Sequence, residues 1–417
     1  MKRILLFAAV LICPLLADAQ PYTIVTCPGE DTKSQINVSW AVDSTVTDTY
    51  VIFTKLKDKN WKKGTKVFPV KEFCTVFDTI WSKNAAGENF NEDARFIKCG
   101  ASLNGLKPRC DYQYVVVADK DTSEVHYFKT SGDKKWSACV ISDIHNYPPL
   151  PKRREAAMAM IDRIEEFDPS IDFILHIGDV CAWGGSYSFW KELYSEPHFS
   201  QYMWAGVNGN HDNMSRKYQL SNQYFKYANY YPLNGYKGEE GVCYHFMYGD
   251  VLFIMLNNEN MRSDEGLAAA QEWVRKVVAE NPARYRVVCE HYQWFFAESG
   301  ESSQYNRWKE LFDELGIDLA IAGNNHIYAR TNALYKDSQT DGTYGTVYLQ
   351  LPSSDDERGM KAKDFVHNTD KIMFRWTEGE KTVGAVHLSV TPKEMTLTLL
   401  DRFGNKLDSV KVLSKKR

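Results

Sequence analysis

The chain is expected to fold as an N-terminal all-β sandwich over residues 20–132, followed by a larger α/β domain over residues 136–402. Three observations predict this. Residues 20–132 carry short runs of β-branched and aromatic residues, the signature of strands. From Trp136 onward, short apolar runs alternate with helical stretches, the pattern of buried sheets flanked by helices. The length, 417 residues, exceeds one ordinary domain. A composition of 44% hydrophobic and 25% charged residues supplies apolar material for sizeable cores.

The first element is a leader. Lys2-Arg3, an apolar run over 4–16 and the small-x-small pattern Ala17-Asp18-Ala19 read as a secretory signal over residues 1–19. The run is short for a membrane span, and bulky Ile12 ahead of Cys13 argues against a lipoprotein signal. The expectation is a secreted protein, periplasmic or extracellular, with no membrane contact. The formal charge is −4, and removing Lys2, Arg3 and Asp18 with the leader lowers it by one. No basic excess is left to hold nucleic acid, so no nucleic-acid partner is expected. Nothing in the sequence sets an oligomeric state.

In the N-terminal part, residues 36–40 and 50–54 are expected strands, and residues 115–117 and 125–129 supply the last ones. Residues 131–135 read as a linker. Export permits disulfides, and Cys27, Cys74, Cys99 and Cys110 allow three pairings. Cys139, Cys181 and Cys289 sit in apolar runs or at motif edges and read as buried free thiols.

In the α/β part, strands are expected over 138–142, 173–177, 203–207, 252–256, 286–289 and 319–322, with helices over 153–167 and 266–279. Residues 383–390 and 394–400 return to alternating strands, and residues 403–417 read as a C-terminal tail.

Five of these strands run directly into polar clusters: Asp143-Ile144-His145, Gly178-Asp179, Gly209-Asn210-His211-Asp212, His291, and Gly323-Asn324-Asn325-His326. Groups at successive strand ends of an α/β sheet converge on one crevice. Carboxylate, amide oxygen and imidazole suit borderline-hard divalent metals. Two such ions can clamp both sides of a phosphoryl transfer and generate a bridging hydroxide nucleophile. Each cluster alone has a bland reading as a turn or a satisfied histidine; together they read as a metal site.

The order D-x-H, G-D, G-N-H-D, H, G-x-x-H, over roughly residues 136–402, resembles the calcineurin-like metallophosphoesterase superfamily. Within it, Gly323 to Tyr328 followed by Arg330-Thr331 is similar to purple acid phosphatases. So is the β domain ahead of it, where residues 106–112 resemble the tyrosine corner of fibronectin type III-like sandwiches. The resemblance implies a metallophosphoesterase domain of two packed sheets flanked by helices. It implies a first metal on Asp143, His145, Asp179 and His326, and a second on Asp179, Asn210 and His291, with Asp179 bridging. It gives His211 the leaving oxygen, as general acid or transition-state donor, with Asp212 fixing its orientation.

Two positions depart from the pattern. Purple acid phosphatases have an iron-binding tyrosine where this chain has Ala182, while His145 fills the D-x-H position. A non-purple centre of two divalent ions (iron, zinc or manganese) with a neutral pH optimum is expected. Asn324 stands where the family has a histidine for the second metal, so that ion is expected to bind more weakly.

The expected function is therefore a secreted metal-dependent phosphatase that hydrolyses monoesters of phosphorylated small molecules through a two-metal-bridged hydroxide. A phosphodiesterase with the same centre is the near alternative. A binding or adhesion protein, its second metal crippled at Asn324, is the distant one; the presence of His211 and Asp212 favours the enzyme. His176 reads as core. Trp183, Tyr187, Trp190, Tyr292 and Trp294 shape the pocket or pack, and Arg330 meets phosphate or forms an ion pair. His126, His198, His245, His367 and His387 carry no motif. The sequons at Asn37 and Asn213 read as chance matches.

Overall fold

The computed structural model describes residues 20–83, 89–213, 222–296, 300–355, 371–378 and 382–415, with the backbone alone for 76–83 and 89–93. The expected leader, His367 and two residues of the sequon at Asn213 lie outside the described residues.

Two large sheets carry the molecule. The first has ten strands in the order Lys406–Leu413, Glu394–Asp401, Gly384–Val390, Trp136–Ile141, Phe173–Ile177, Met203–Val207, Tyr22–Pro28, Ile36–Asp43, Asn89–Leu103 and Val70–Lys83. The second has seven, in the order Tyr244–Tyr248, Val251–Met255, Tyr285–Cys289, Leu319–Ala322, Val347–Gln350, Tyr328–Thr331 and Ile372–Trp376. The middle strands run parallel, with Ala138 opposite Phe173, Phe173 opposite Met203 and Val287 opposite Leu319. Parallel strands covered on both faces must be apolar throughout, which is why these segments read as unbroken hydrophobic runs.

Aromatic side chains join the two sheets face to face. Trp136 and Phe173 of the first meet Tyr248 of the second at centroid separations of 4.8 and 4.6 Å. Helices Lys152–Phe167, Asp264–Glu280 and Ser303–Leu315 accompany the sheets. Sequence chemistry sets their ends. The Ser263 hydroxyl accepts from Gly266 N, the Ser302 hydroxyl accepts from Gln304 N, and Gly316 closes the last helix in the left-handed region.

The N-terminal part is strand-rich, as expected. Its smaller sheet contains Thr65–Val67, Thr49–Lys55, Asp111–Ala118 and Asp121–Thr122, with His126–Lys129 paired on Asp111–Ala118. The Tyr112 hydroxyl accepts from Lys107 N at 2.9 Å, the contact a tyrosine corner requires. Its other four strands do not stand apart. Tyr22–Pro28 pairs in parallel with Met203–Val207, so the ten-stranded sheet is continuous across the expected boundary at 132–136.

One expectation is corrected, and the open readings of the cysteines and of Arg330 resolve. Residues 403–415 are not a tail: Lys406–Leu413 pairs along Glu394–Asp401 as the sheet's edge strand. No disulfide forms among the described residues, where all eight cysteines are free and Cys139, Cys181 and Cys289 are buried. Arg330 is structural. It grips Asp408 through two contacts of 2.7 and 2.9 Å, and Tyr328 donates to the same carboxylate, which ties the two sheets together. His176 is core as expected, buried against Gly206, where any Cβ would collide with its ring.

Candidate metal centre

Asp143, Asp179 and the Asn210–Asp212 cluster follow three adjacent parallel strands of the first sheet. His291, Asn324 and His326 follow two parallel strands of the second. All five strand-end segments therefore face one crevice. The loops are zipped by backbone hydrogen bonds: Asp143 N to Gly178 O, His145 N to Asp179 O and Asn146 N to Val180 O, at 2.8–3.0 Å.

The backbone here is strained. Asp143, His145, Asp179, Asn324 and His326 have φ between 47° and 66°. The left-handed region costs a non-glycine residue about 1–3 kcal/mol. Five such residues in one place persist only because the surrounding sheets enforce them, and the result is to turn each side chain inward.

The side chains meet at short range. Asp179 Oδ2 lies 3.3 Å from His145 Nε2 and 3.2 Å from His291 Nε2. Asp143 Oδ1 lies 3.2 Å from His326 Nε2, and Asn210 Oδ1 lies 3.2 Å from His291 Nε2. Asp143, His145, Asp179 and His291 are buried. Three overlapping groups result: Asp143 with His145 and His326, His145 with Asp179 and His211, and Asp143 with Asp179 and His291.

The donor set fits cations. Two ligand atoms each about 2.1 Å from one ion and 3.2 Å apart subtend roughly 100° at it, close to tetrahedral. Asp143 Oδ1 is buried with no hydrogen-bond partner, an orphan that a metal would satisfy. His291 donates through Nδ1 to Ile177 O at 2.7 Å, which turns its Nε2 toward the Asp179 carboxylate, where an ion would take the place of the Nε2 proton. Electrostatics agree. Burial opposes protonation of His291, yet Asp179 and then Asp143 outweigh it and raise the imidazole to about 10. Burial likewise opposes ionisation of Asp179, but His291 and then His145 hold its carboxyl well below the usual range. A crevice that draws positive charge onto a buried imidazole this strongly is built for cations.

The other expected residues are placed as follows. His211 N donates to Asp179 Oδ1, and its ring stands perpendicular to His145 at a centroid separation of 5.0 Å. Its Nδ1 faces Ala182 O at 2.8 Å. The two oxygens of Asp212 accept from Cys181 N and Gly209 N. Asp212 braces the two loops; burial, then Asp179, raise its carboxyl to about 7. The Asn324 side chain donates to Gln293 Oε1, and its backbone N–H donates to Asp143 Oδ2. Trp183 lines the crevice 6.2 Å from His211, whereas Trp190 and Trp294 are buried packing residues.

Sequence reasoning missed Ser353, Ser354 and Asp355. All three are fully buried beside the centre, and Asp355 Oδ2 lies 3.1 Å from His145 Nδ1. A signal existed: the apolar run 347–351 ends in Pro-Ser-Ser-Asp-Asp, a sixth polar cluster after a strand. It lacks the histidine or Gly-Asp step that marked the others. Asn258 was missed too, and its Oδ1 accepts from both His291 N and Tyr292 N.

Residues 138–328 match the calcineurin-like phosphoesterase family. An uncharacterized protein of Mycobacterium tuberculosis, found in two strains, is 25% identical over 307 residues, a match covering 60% of this chain and 56% of that protein. The chain thus spans about half the length of those relatives. The fold is similar to that of a purple acid phosphatase isolated from yellow lupin (Lupinus luteus) seeds, with a TM-score of 0.76 and 17% identity over 96% of this chain and 75% of that one. It is also similar to PhoD, with a TM-score of 0.61 and 12% identity over 96% of this chain and 95% of that one.

Proposed function

We propose that this chain, whose residues 138–328 match the calcineurin-like phosphoesterase family, hydrolyses phosphate monoesters of small molecules with two divalent ions. One observation carries the reading: the imidazoles of His145 and His291, from different sheets, aim at the same oxygen of Asp179 from 3.3 and 3.2 Å. A carboxylate shared in this way suits a bridging ligand. On this reading Asp143, His145, Asp179 and His326 hold one ion. Asp179, Asn210 and His291 hold the other, with Asn324 as a weaker amide ligand.

The ions supply Lewis acidity and an activated water. The chain's own residues supply the rest. Asp179 fixes the distance between the two sites and, by accepting from His211 N, the approach of His211. With Nδ1–H directed at Ala182 O, the doubly protonated ring of His211 would donate from Nε2 to the leaving oxygen. Trp183 beside it offers an apolar wall for the alcohol portion. The composition of residues 1–19 supports export, and N-terminal sequencing of the mature protein tests it.

The deciding experiment is turnover of an aryl phosphate and a bis-aryl phosphate by chelator-stripped protein reloaded with manganese, zinc or iron. Metal-dependent hydrolysis with the monoester preferred is expected. Preference for the diester would overturn the monoesterase reading. Two bound metals with no hydrolysis of either ester would overturn the enzyme reading in favour of a binding protein.

A further inference from the structure

We propose that Asp355 is the positioning residue for the first metal site: it fixes His145 through Nδ1 and makes that site the tighter of the two. The inference rests on the metal-centre reading above.

A neutral imidazole carries one N–H, and which nitrogen bears it is set by what the ring faces. His145 Nδ1 faces the Asp355 carboxylate at 3.1 Å and the Asp143 carbonyl at 3.2 Å. Both are acceptors. Nε2 faces Asp179 Oδ2, 3.3 Å away; with Nε2 given to an ion, the remaining proton sits on Nδ1 and is held by Asp355. Both side chains are fully buried, so water does not compete for the contact.

The same segment holds the strained loop in place. The Ser354 N–H and hydroxyl both donate to Ser142 O, at 3.0 and 2.9 Å, and the Ser353 hydroxyl donates to Asp143 O at 3.0 Å. Asp355 N donates to the Ser353 hydroxyl. Ser353–Asp355 follows the strand Val347–Gln350 of the second sheet, whereas Ser142–His145 follows the strand Trp136–Ile141 of the first. The contact therefore straps one sheet's ligand loop to the other sheet, across the residues whose φ values are left-handed.

The comparison with His291 gives the asymmetry. Its Nδ1 faces a neutral carbonyl, Ile177 O, where His145 faces a carboxylate. A carboxylate behind a ligating imidazole raises its basicity more than a carbonyl does, and loss of such a partner weakens metal binding about 10–100-fold. Asp355 thus strengthens the site that also lacks the weak amide ligands of the other.

The test is calorimetric titration of zinc into the chelator-stripped full chain and its variants. The unmutated chain is expected to show two unequal sites. Asp355→Ala should weaken the tighter site about 10–100-fold while moving the other by no more than about threefold. Asp355→Asn, which keeps an oxygen for Nδ1, should recover part of the loss. Unchanged tight-site affinity in Asp355→Ala, or equal loss at both sites, overturns the proposal while leaving the metal reading intact. An unmutated chain that takes up no zinc overturns both. Nitrogen-15 spectra of the histidines in the unmutated, zinc-loaded protein, with His145 assigned from His145→Gln, need no folded Asp355 variant. The Nδ1–H tautomer is expected, and the Nε2–H tautomer overturns the inference.

Discussion

The Nδ1 atom of His211 lies 2.8 Å from the carbonyl oxygen of Ala182. A backbone carbonyl only accepts, so this contact places a proton on Nδ1 and fixes the ring by a group that mutation of neighbouring side chains cannot remove. Ala182 occupies the position at which the family resemblance led us to look for an iron-binding tyrosine. Its main chain here serves His211.

His211 is proposed to donate to the leaving oxygen, so its loss should act on turnover and not on the metals. His211→Ala is expected to lower kcat on an aryl phosphate monoester about 100-fold or more. Metal content by elemental analysis should stay at the unmutated level. A kcat within a few-fold of the unmutated chain would remove His211 from the mechanism, and loss of metal would recast it as a ligand.

Asn324 sets the strength of the second site. An imidazole is a better ligand than an amide oxygen for zinc, and the Asn324 amide nitrogen is already committed to Gln293. Asn324→His should tighten the weaker zinc site about tenfold, some 1.4 kcal/mol. Titration that shows both sites unchanged would mean that position 324 does not reach the ion.

Gly209 is required by close approach. A Cβ there would lie 2.1 Å from Asp179 Oδ1 and 2.3 Å from Asp179 N. The backbone N cannot yield, because Asp179 is zipped to His145. Gly209→Ala should therefore displace the shared carboxylate and lower bound metal below two ions per chain, while circular dichroism stays native-like. Two ions bound with unmutated affinity would argue against Asp179 as the bridge.

The site was legible in the sequence because parallel strands deliver their carboxyl-end residues to one crevice. Asp143, Asp179, Asn210, His291 and His326 could be gathered from strand order alone. What lies behind them was not. Asp355 reaches His145 across 210 positions of chain, a pairing that only sheet-on-sheet packing creates. Arg330 could not be assigned for the same reason, since its partner Asp408 lies on a strand of the other sheet. That strand itself was missed. Over 406–413 polar and apolar residues mix on both faces, Lys406 and Asp408 with Val410 and Val412 on one, and at a sheet edge such a strand resembles a tail. The continuity of the ten-stranded sheet rests on the pairing of Tyr22–Pro28 with Met203–Val207, which leaves no mark in composition.

The last prediction concerns stability. His126 is buried against Tyr114 at a ring separation of 5.1 Å, and neither ring nitrogen has a hydrogen-bond partner. Burial alone lowers its pKa from 6.5 to about 4. An unfolded histidine takes its proton near pH 6.5, whereas the folded one resists until near pH 4. Between those values the unfolded chain binds more protons, so stability is complete above pH 6.5 and falls as the pH drops toward 4. The loss amounts to about 3 kcal/mol by the bottom of that window. His245 and His176, lowered by burial to about 4 and about 3, add to the same slope. His126→Phe keeps the ring and discards the proton site. Urea unfolding of chelator-stripped protein at pH 7 and pH 4.5 should show a smaller acid loss in the variant than in the unmutated chain. Equal losses would mean that His126 finds a partner for its proton in the folded state.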